Sequence, residues 1–497
     1  MDSRSGLVGI IPIVSDPVSL PSAVSGAYRL WETYSIDRAL IITTGEAQAN
    51  LEWLKWWLDR LGIEVEGIER VKLSLEDLEE SNGAKSALDR LASILDRYCG
   101  RGVVLLSSAS RRLASLLTAA SLRRSECSNT LVHNDFYFGP WSGLHYPYTP
   151  LRLEPILVVH PLLDPSPRGP SASRAPRGGD LQVNGRKLPP LRAAMAELAR
   201  ILNEHAWSPL TYPGPPESMK CGRLKVRIDG VDRGEADLCT PSQMEALAYR
   251  LSTILHNYIE TSEGYPLRSV LAWVGLANLK ADTGEGDEFL ASLVRRQGVI
   301  ADTSLVYYGL HRYYWEGASV DIPDCVLREV HRRLAESLKR GMARDARGMA
   351  DILAYLGLKD MLWGRPPIVP SPPGDCDTAV PKIDPVILHG KMIATADDGA
   401  YRYWRLHPSS RLARPVKVFF TPEEKPNFEA GNGRVKVSRL YYGVYQTLLV
   451  LKLMESQQLG VDSVEITVKT GEGEKHVNPP IGMLLNALNL RGRGQRG

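Results

Sequence analysis

Short apolar runs recur at 7–14 (LVGIIPIV), 39–44 (ALIITT), 63–73 (IEVEGIERVKL) and 103–108 (VVLLSS), and amphipathic stretches of helical period separate them at 18–35, 47–61, 75–98 and 111–124. β-Branched runs of strand length alternating with helical periods predict a parallel, doubly wound sheet. In such a sheet a ligand sits at the carboxyl ends of the strands. Residues 130–160 change character, with HNDFYFGPWSGLHYPYTP between two β-rich segments, which reads as a terminal hairpin closing a first domain over 1–162.

Residues 163–185 are rich in Pro, Gly, Ser and Arg and cannot build a core, so they read as a linker. From 186 to 296 the chain reads as a mainly helical connector, with a β-like insert at 222–232 and a strong helix at 241–260. A second strand-helix pattern occupies 297–420: strands at 298–308, 320–324, 392–398 and 415–420, a helix at 325–340, and a Pro-rich break at 365–373. An α/β extension over 421–497 holds a helix at 437–456, a strand at 464–469 and the basic tail RGRGQRG. The expected fold class is α/β throughout.

Composition narrows this picture. A chain of 497 residues accommodates several domains of about 150 residues. Hydrophobic residues at 43% and charged residues at 24% exclude a disordered or membrane-embedded class. A net charge of +3 means that any nucleic-acid-binding patch must be local. Cys99, Cys127, Cys221, Cys239, Cys325 and Cys376 are widely spaced, with neither CxxC nor a zinc-type cluster, and read as buried thiols of a reducing compartment. The first residues do not have the form of a signal peptide, and no run approaches the about 18 apolar residues of a membrane span. The expectation is a cytoplasmic protein with no membrane association.

The chemistry concentrates between 299 and 398. Asp302 follows the apolar strand end VIA, and Glu329 lies just off the apolar stripe of Val326, Leu327, Val330, Leu334 and Leu338. Thr395 and Asp397 end another apolar strand, and PGDCDTAV supplies Asp375 and Asp377. Taken singly, such acids are turn formers or helix caps. Converging on one sheet edge they would repel one another unless a cation neutralised them, and oxygen-only ligands suit Mg²⁺ or Mn²⁺. Two such ions held about 3.5–4 Å apart support in-line attack of water on a phosphodiester.

VIADTSLVYY, then IPDCVLREV, then MIATADDGAY resembles the ordered signature of PIN-domain nucleases over about 298–420. The resemblance implies metal ligation by Asp302, Glu329, Asp377 and Asp397, with Thr395 as the polar residue beside the last acid. For the third acid, Asp375 and Asp384 remain open alternatives to Asp377, because Pro381 and Pro385 depart from the family's helix.

Downstream, 401–417 carries Arg402, Arg405, Arg411, Arg414 and Lys417 and no acid, interleaved with Tyr401, Tyr403 and Trp404. Cations beside stacking aromatics suit single-stranded nucleic acid, so Arg402, Trp404 and Arg405 are candidate RNA contacts. A solvated helix face with a half-buried Trp is the plainer reading.

In the first domain the strand-end loops offer Ser15, Thr43, Thr44, Ser107, Ser108, Ser110, Arg111 and Arg112, a polar and partly cationic crevice suited to phosphate or nucleotide. Helix capping explains Ser and Thr at such places equally well. Neither GxGxxG after the first strand nor GxxxxGK[ST] occurs, so no dinucleotide or P-loop function is implied. The element order, the loop in LLSSASRRLASLLTAASL and the FGPWSGLHYPYTP hairpin resemble the CRISPR-associated Rossmann fold (CARF), a sensor of cyclic oligoadenylates, over about 1–162. This implies a homodimer binding one ring ligand at those eight residues.

Together the two resemblances imply a cytoplasmic, cyclic-oligoadenylate-regulated, metal-dependent endoribonuclease that cuts single-stranded RNA in type III CRISPR antiviral defence. Three alternatives stand beside it. The PIN-like part is a degenerate binding module without nuclease activity, or the sensor domain degrades its own ligand. In the third, Arg250 and His256, in the R-x(4–6)-H form of HEPN ribonucleases, cleave RNA without metal.

Overall fold

The computed structural model describes residues 6–14, 19–34, 36–44, 47–60, 62–72, 83–123, 129–134, 156–160, 182–183, 186–187, 189–206, 222–238, 240–259, 272–274, 279–315, 317–339, 346–419, 437–470 and 473–488. Two compact units result: Met1–Arg177 with Ala206–Cys221 and Cys239–Pro241, and Gly178–His205 with Gly222–Leu238 and Ser242–Gly497.

In the first unit the chain runs β1 (Val8–Ile13), α1 (Ser19–Tyr34), β2 (Arg38–Thr43), α2 (Gln48–Arg60), β3 (Glu64–Arg70), α3 (Gly83–Asp96), β4 (Gly102–Leu105), α4 (Arg111–Leu122), β5 (Thr130–Asn134) and β6 (Ile156–His160). The sheet order is β3-β2-β1-β4-β5-β6, with β1 to β5 parallel and β6 antiparallel to β5. Every residue of β1 and β2 is buried, as central strands covered on both faces require, whereas edge strand β3 is only half covered. Ile10, Ile42, Val104 and Leu131 meet Leu91, Leu95, Leu113 and Leu117 of α3 and α4 on one face. On the other, α1 approaches Leu105 so closely that a Cβ on Gly26 would lie 2.3 Å from its side chain. The hydrophobic period therefore anticipates this sheet, its order of elements and the closing antiparallel strand.

The second unit opens with the two-residue strands β7 (Gln182–Val183) and β8 (Arg186–Lys187), inside the stretch expected to be linker and its border. Next come α5 (Pro190–Ala206), β9 (Arg223–Ile228), β10 (Val231–Asp237), α6 (Pro241–Ile259), β11 (Lys280–Asp282), β12 (Asp287–Phe289) and α7 (Leu290–Arg296). The chain continues through β13 (Val299–Ala301), α8 (Thr303–Tyr307), α9 (Leu310–Trp315), β14 (Val320–Pro323), α10 (Asp324–Lys339), α11 (Ala346–Trp363) and β15 (Ile368–Val369). The unit ends with α12 (Cys376–Ala379), α13 (Pro385–Leu388), β16 (Met392–Thr395), α14 (Asp398–Leu406), β17 (Arg414–Phe419), α15 (Val437–Ser456), β18 (Val464–Thr470), β19 (Gly473–His476) and α16 (Gly482–Ala487).

Its larger sheet has the order β12-β11-β17-β16-β13-β14-β15. Strands β13 to β17 are parallel, and the antiparallel β11–β12 hairpin extends the β17 edge. A second, antiparallel sheet has the order β10-β9-β18-β19. The stretch 186–296 is thus not a separate helical connector: β9 and β10 pair with the C-terminal extension, β11 and β12 join the larger sheet, and all belong to one compact unit.

At the centre, α11 buries Met349, Ile352, Leu353, Leu356, Leu358 and Met361 on several sides. A helix apolar all round has no amphipathic stripe to read, which is why the sequence pattern did not single it out. Its buried Asp360 is neutralised by Arg192 of α5, whose guanidinium donates to both carboxylate oxygens at 3.1 and 2.6 Å and lies 4.6 Å from the Trp315 ring.

Candidate functional site

In the larger sheet the strand order reverses between β13 and β16, and the chain leaves both strands through acidic residues. This is the switch point at which open α/β sheets bind ligands. Asp302 follows β13 and caps α8, accepting from the Ser304 amide at 3.3 Å. Asp397 follows β16 and caps α14, accepting from the Ala400 amide at 2.8 Å. Both carboxylates are therefore helix caps as well as site candidates, so the plain and the functional readings hold together.

Two hydroxyls fix Asp302. Ser304 Oγ and Thr395 Oγ1 each donate to its Oδ2 at 2.8 Å. Each hydroxyl also accepts a backbone amide: Ser304 Oγ from Ala396 at 2.8 Å, and Thr395 Oγ1 from Asp397 at 2.9 Å. Thr395 is buried, so it orients the two acids and does not face a substrate. Asp302 Oδ1 is buried without a hydrogen-bond partner, and burial raises the Asp302 pKa.

Glu329 projects from α10 toward the same edge. Thr303 Oγ1 donates to its Oε2 at 2.8 Å, and Arg333, one turn on, pairs with Oε1. Arg333 lies 5.6 Å from the Tyr307 ring, and the Tyr307 hydroxyl donates to buried Asp351 at 2.5 Å. This chain from Asp351 through Tyr307 and Arg333 orients Glu329. The sequence reading lacked it because its members lie on three separate helices.

Of the three candidates for the third acid, Asp377 is the one whose pKa the other acids shift. Partial burial and then the charges of Asp302, Asp397, Glu329 and Asp375 push its pKa up to about 6. Of the two alternatives, Asp384 caps α13 through the Val386 amide at 2.8 Å, and Asp375 pairs with Arg332 at 3.7 Å. The backbone of Asp377 is held by the Trp404 indole, which donates to its carbonyl at 2.7 Å.

The donor set is consistent with a hard cation: all oxygen, mutually repelling, with one buried carboxylate oxygen unpaired. Among the described residues, however, no group of three or more His, Cys, Asp or Glu is disposed to hold a metal ion. Mg²⁺ keeps several waters and is commonly bound through one or two carboxylates.

Of the RNA candidates, Arg402 and Arg405 are exposed on α14, Arg405 lying 5.7 Å from the Tyr401 ring. Trp404 is fully buried and cannot stack on a base, which corrects the expectation for that residue. Tyr403 is 39% exposed on this helix and Tyr401 is half-buried. Lys417 is committed to the Ala396 carbonyl at 2.6 Å and to Asp398 at 2.7 Å.

The N-terminal sheet also reverses between β1 and β4, where Ser107 and Ser108 leave β4. Ser108 is buried and donates to the Pro12 carbonyl at 2.7 Å, and Thr43 is buried and donates to the Thr44 carbonyl at 3.0 Å. Ser110 caps α4 through the Leu113 amide at 3.2 Å. Those three hydroxyls serve the fold. Ser107 Oγ is buried without a partner, and Arg111 and Arg112 are exposed in the first turn of α4. Ser15 lies outside the described residues.

Arg250 is exposed on α6, with its side chain over Gly234 of β10. Six residues along a helix place His256 about 120° away around the axis, which does not favour joint catalysis from one helix face. The His256 side chain lies outside the described ones.

Cys325 and Cys376 form a disulfide, and Cys99 is disulfide-bonded as well, so the reading of these three as free thiols is corrected. Cys127, Cys221 and Cys239 lie outside the described residues. No helix among the described residues is long and apolar enough to cross a membrane. No family model matches the chain, and no curated protein matches it in sequence.

Proposed function

We propose that the chain is a divalent-metal-dependent endoribonuclease of the PIN type, regulated by a cyclic oligoadenylate bound to its CARF-like N-terminal unit. The observation that carries the nuclease reading is the acid cluster at the β13–β16 switch point. There a buried carboxylate oxygen of Asp302 is unpaired, and partial burial followed by the charges of Asp302, Asp397 and Glu329 raises the pKa of Asp377 to about 6. Such a cluster is costly to a fold and gains a purpose when it binds a cation.

Asp302, Glu329, Asp377 and Asp397 would hold Mg²⁺ or Mn²⁺. A bound divalent ion supplies charge neutralisation and a more acidic water for phosphodiester hydrolysis. Ser304 and Thr395 fix Asp302, and Thr303 and Arg333 fix Glu329. Exposed Arg402 and Arg405 would meet phosphates of single-stranded RNA, with Tyr403 offering a stacking face.

In the N-terminal unit, two exposed arginines open α4 with no acid in its first turn. Cations there oppose the helix dipole, an arrangement that an anionic ligand relieves. A ring of adenylates across a homodimer axis is the ligand consistent with the CARF resemblance. It implies a cytoplasmic role in type III CRISPR antiviral defence.

A nuclease assay with labelled RNA and single-stranded DNA, with Mn²⁺ and with cyclic tri-, tetra- and hexa-adenylate added in turn, tests this. RNA cleavage that requires metal and rises with one ring supports it. A second reading, a ligand-sensing regulator with a degenerate binding module, is favoured by the lack of a ready three-ligand group among the described residues. RNA binding without turnover at any Mn²⁺ concentration would establish that reading instead.

A further inference from the structure

We infer that the Cys325–Cys376 disulfide is a positioning clamp that sets the spacing between Glu329 and Asp377. The inference rests on the reading of this cluster as a metal site. Cys325 lies in the first turn of α10, four residues before Glu329, so the two side chains share one helix face a turn apart. Cys376 directly precedes Asp377. The bond thus joins the element that carries one acid to the turn that carries another, with a Cα–Cα separation of 5.5 Å and both cysteines buried.

The remaining ties show what the bond adds. The start of α10 is stitched to the incoming loop upstream of Gly374. The Cys325 amide donates to Ser371 Oγ at 3.1 Å, the Ser371 amide to Asp324 at 3.0 Å, and Arg328 to the Pro372 carbonyl at 3.5 Å. Gly374 then turns the chain with φ +126°, a conformation that favours glycine. Beyond it, the described ion pair back to α10 is Arg332–Asp375 at 3.7 Å, exposed on both sides and screened by solvent.

Ala379 and Val380 are buried and keep the turn on the domain, and Trp404 holds the Asp377 carbonyl from the side of α14. The covalent link supplies the remaining constraint, toward α10. It opposes the mutual repulsion of the carboxylates, which would otherwise open the cluster. Burial also shields the sulfurs from attack by thiolates, so the clamp persists in a reducing compartment.

The test compares the full chain with Cys325→Ala/Cys376→Ala, both purified without reductant. Peptide mapping of the wild type is expected to recover the Cys325–Cys376 bond, and two alkylatable thiols there would overturn the inference. In calorimetric titration with Mn²⁺ alone, the variant is expected to bind about tenfold or more weakly while its circular dichroism is unchanged. Equal Mn²⁺ affinity with a lowered melting temperature would make the bond a mere staple and overturn the clamp. Should the variant fail to fold, Cys325→Ser/Cys376→Ser is titrated in its place, with the same two outcomes. Failure of the wild type to bind Mn²⁺ overturns the metal-site reading itself, and the clamp with it, which a loss confined to the variant does not.

Discussion

Thr395 is the residue on which the acid cluster is aligned, because one buried hydroxyl donates to Asp302 and accepts from the amide of Asp397. Thr395→Val keeps the shape and removes both bonds, at a cost of about 1–3 kcal/mol in stability, with cleavage reduced even at saturating Mn²⁺. Denaturant melts and a metal titration of the cleavage rate check this. Asp377 makes a prediction of its own. Its pKa of about 6 lies above the unfolded value of about 3.9, so the native state holds the extra proton between the two and stability is lost as pH rises through 6. In metal-free buffer Asp377→Asn is expected to match the wild-type melting temperature near pH 4 and to exceed it at pH 7.5. Equal melting temperatures at both pH values would show that folding does not raise the Asp377 pKa. Asp302 and Asp397 were legible from their positions after apolar strands and Glu329 from its place beside a helical stripe, whereas Asp377 came from the resemblance with Asp375 and Asp384 open beside it; in the structure the charges of Asp302, Asp397 and Glu329 act on Asp377. Trp404 was misread because an indole in a basic segment looks the same whether it faces solvent or, as here, the core.

At the scale of elements, the helices after β13 depend on a tight turn. Gly309 has φ +80°, and a Cβ there would lie 2.7 Å from the Trp273 backbone. Gly309→Ala therefore suffers both strain and collision and is expected to destabilise the unit by about 1–3 kcal/mol, measured by the same melts. That turn sets α9 against α8, the helix that carries Thr303 and Tyr307 to Glu329. Strands of the first unit were legible because four long β-branched runs alternate with amphipathic helices. By contrast, β15 is two residues long inside the Pro-rich break, and β11 and β12 are three residues each, too short for any period to register. The helix α11 carried no stripe, and the β9–β18 pairing joins residues more than two hundred positions apart, a distance that local pattern does not bridge.

On the scale of the whole molecule, two sheets of corresponding parallel strand order each reverse at a polar edge, with Arg111 and Arg112 exposed near one and Asp302 and Asp397 at the other. A net charge of +3 conceals this local segregation of charge. On the proposed reading, charge reversal at Arg111 and Arg112 to Glu is expected to abolish the thermal shift produced by a cyclic oligoadenylate while leaving Mn²⁺ binding intact. A retained shift would remove the strand-end crevice as the ligand site. The central claim is that the acid cluster after β13 and β16 cuts RNA with a divalent ion. It is tested most directly by measuring cleavage of labelled single-stranded RNA in Mn²⁺ and in chelator, by wild type, Asp302→Asn and Asp397→Asn. The expected result is cleavage by the wild type in Mn²⁺ alone and none by either variant; undiminished cleavage by both variants, or cleavage that persists in chelator, would contradict it.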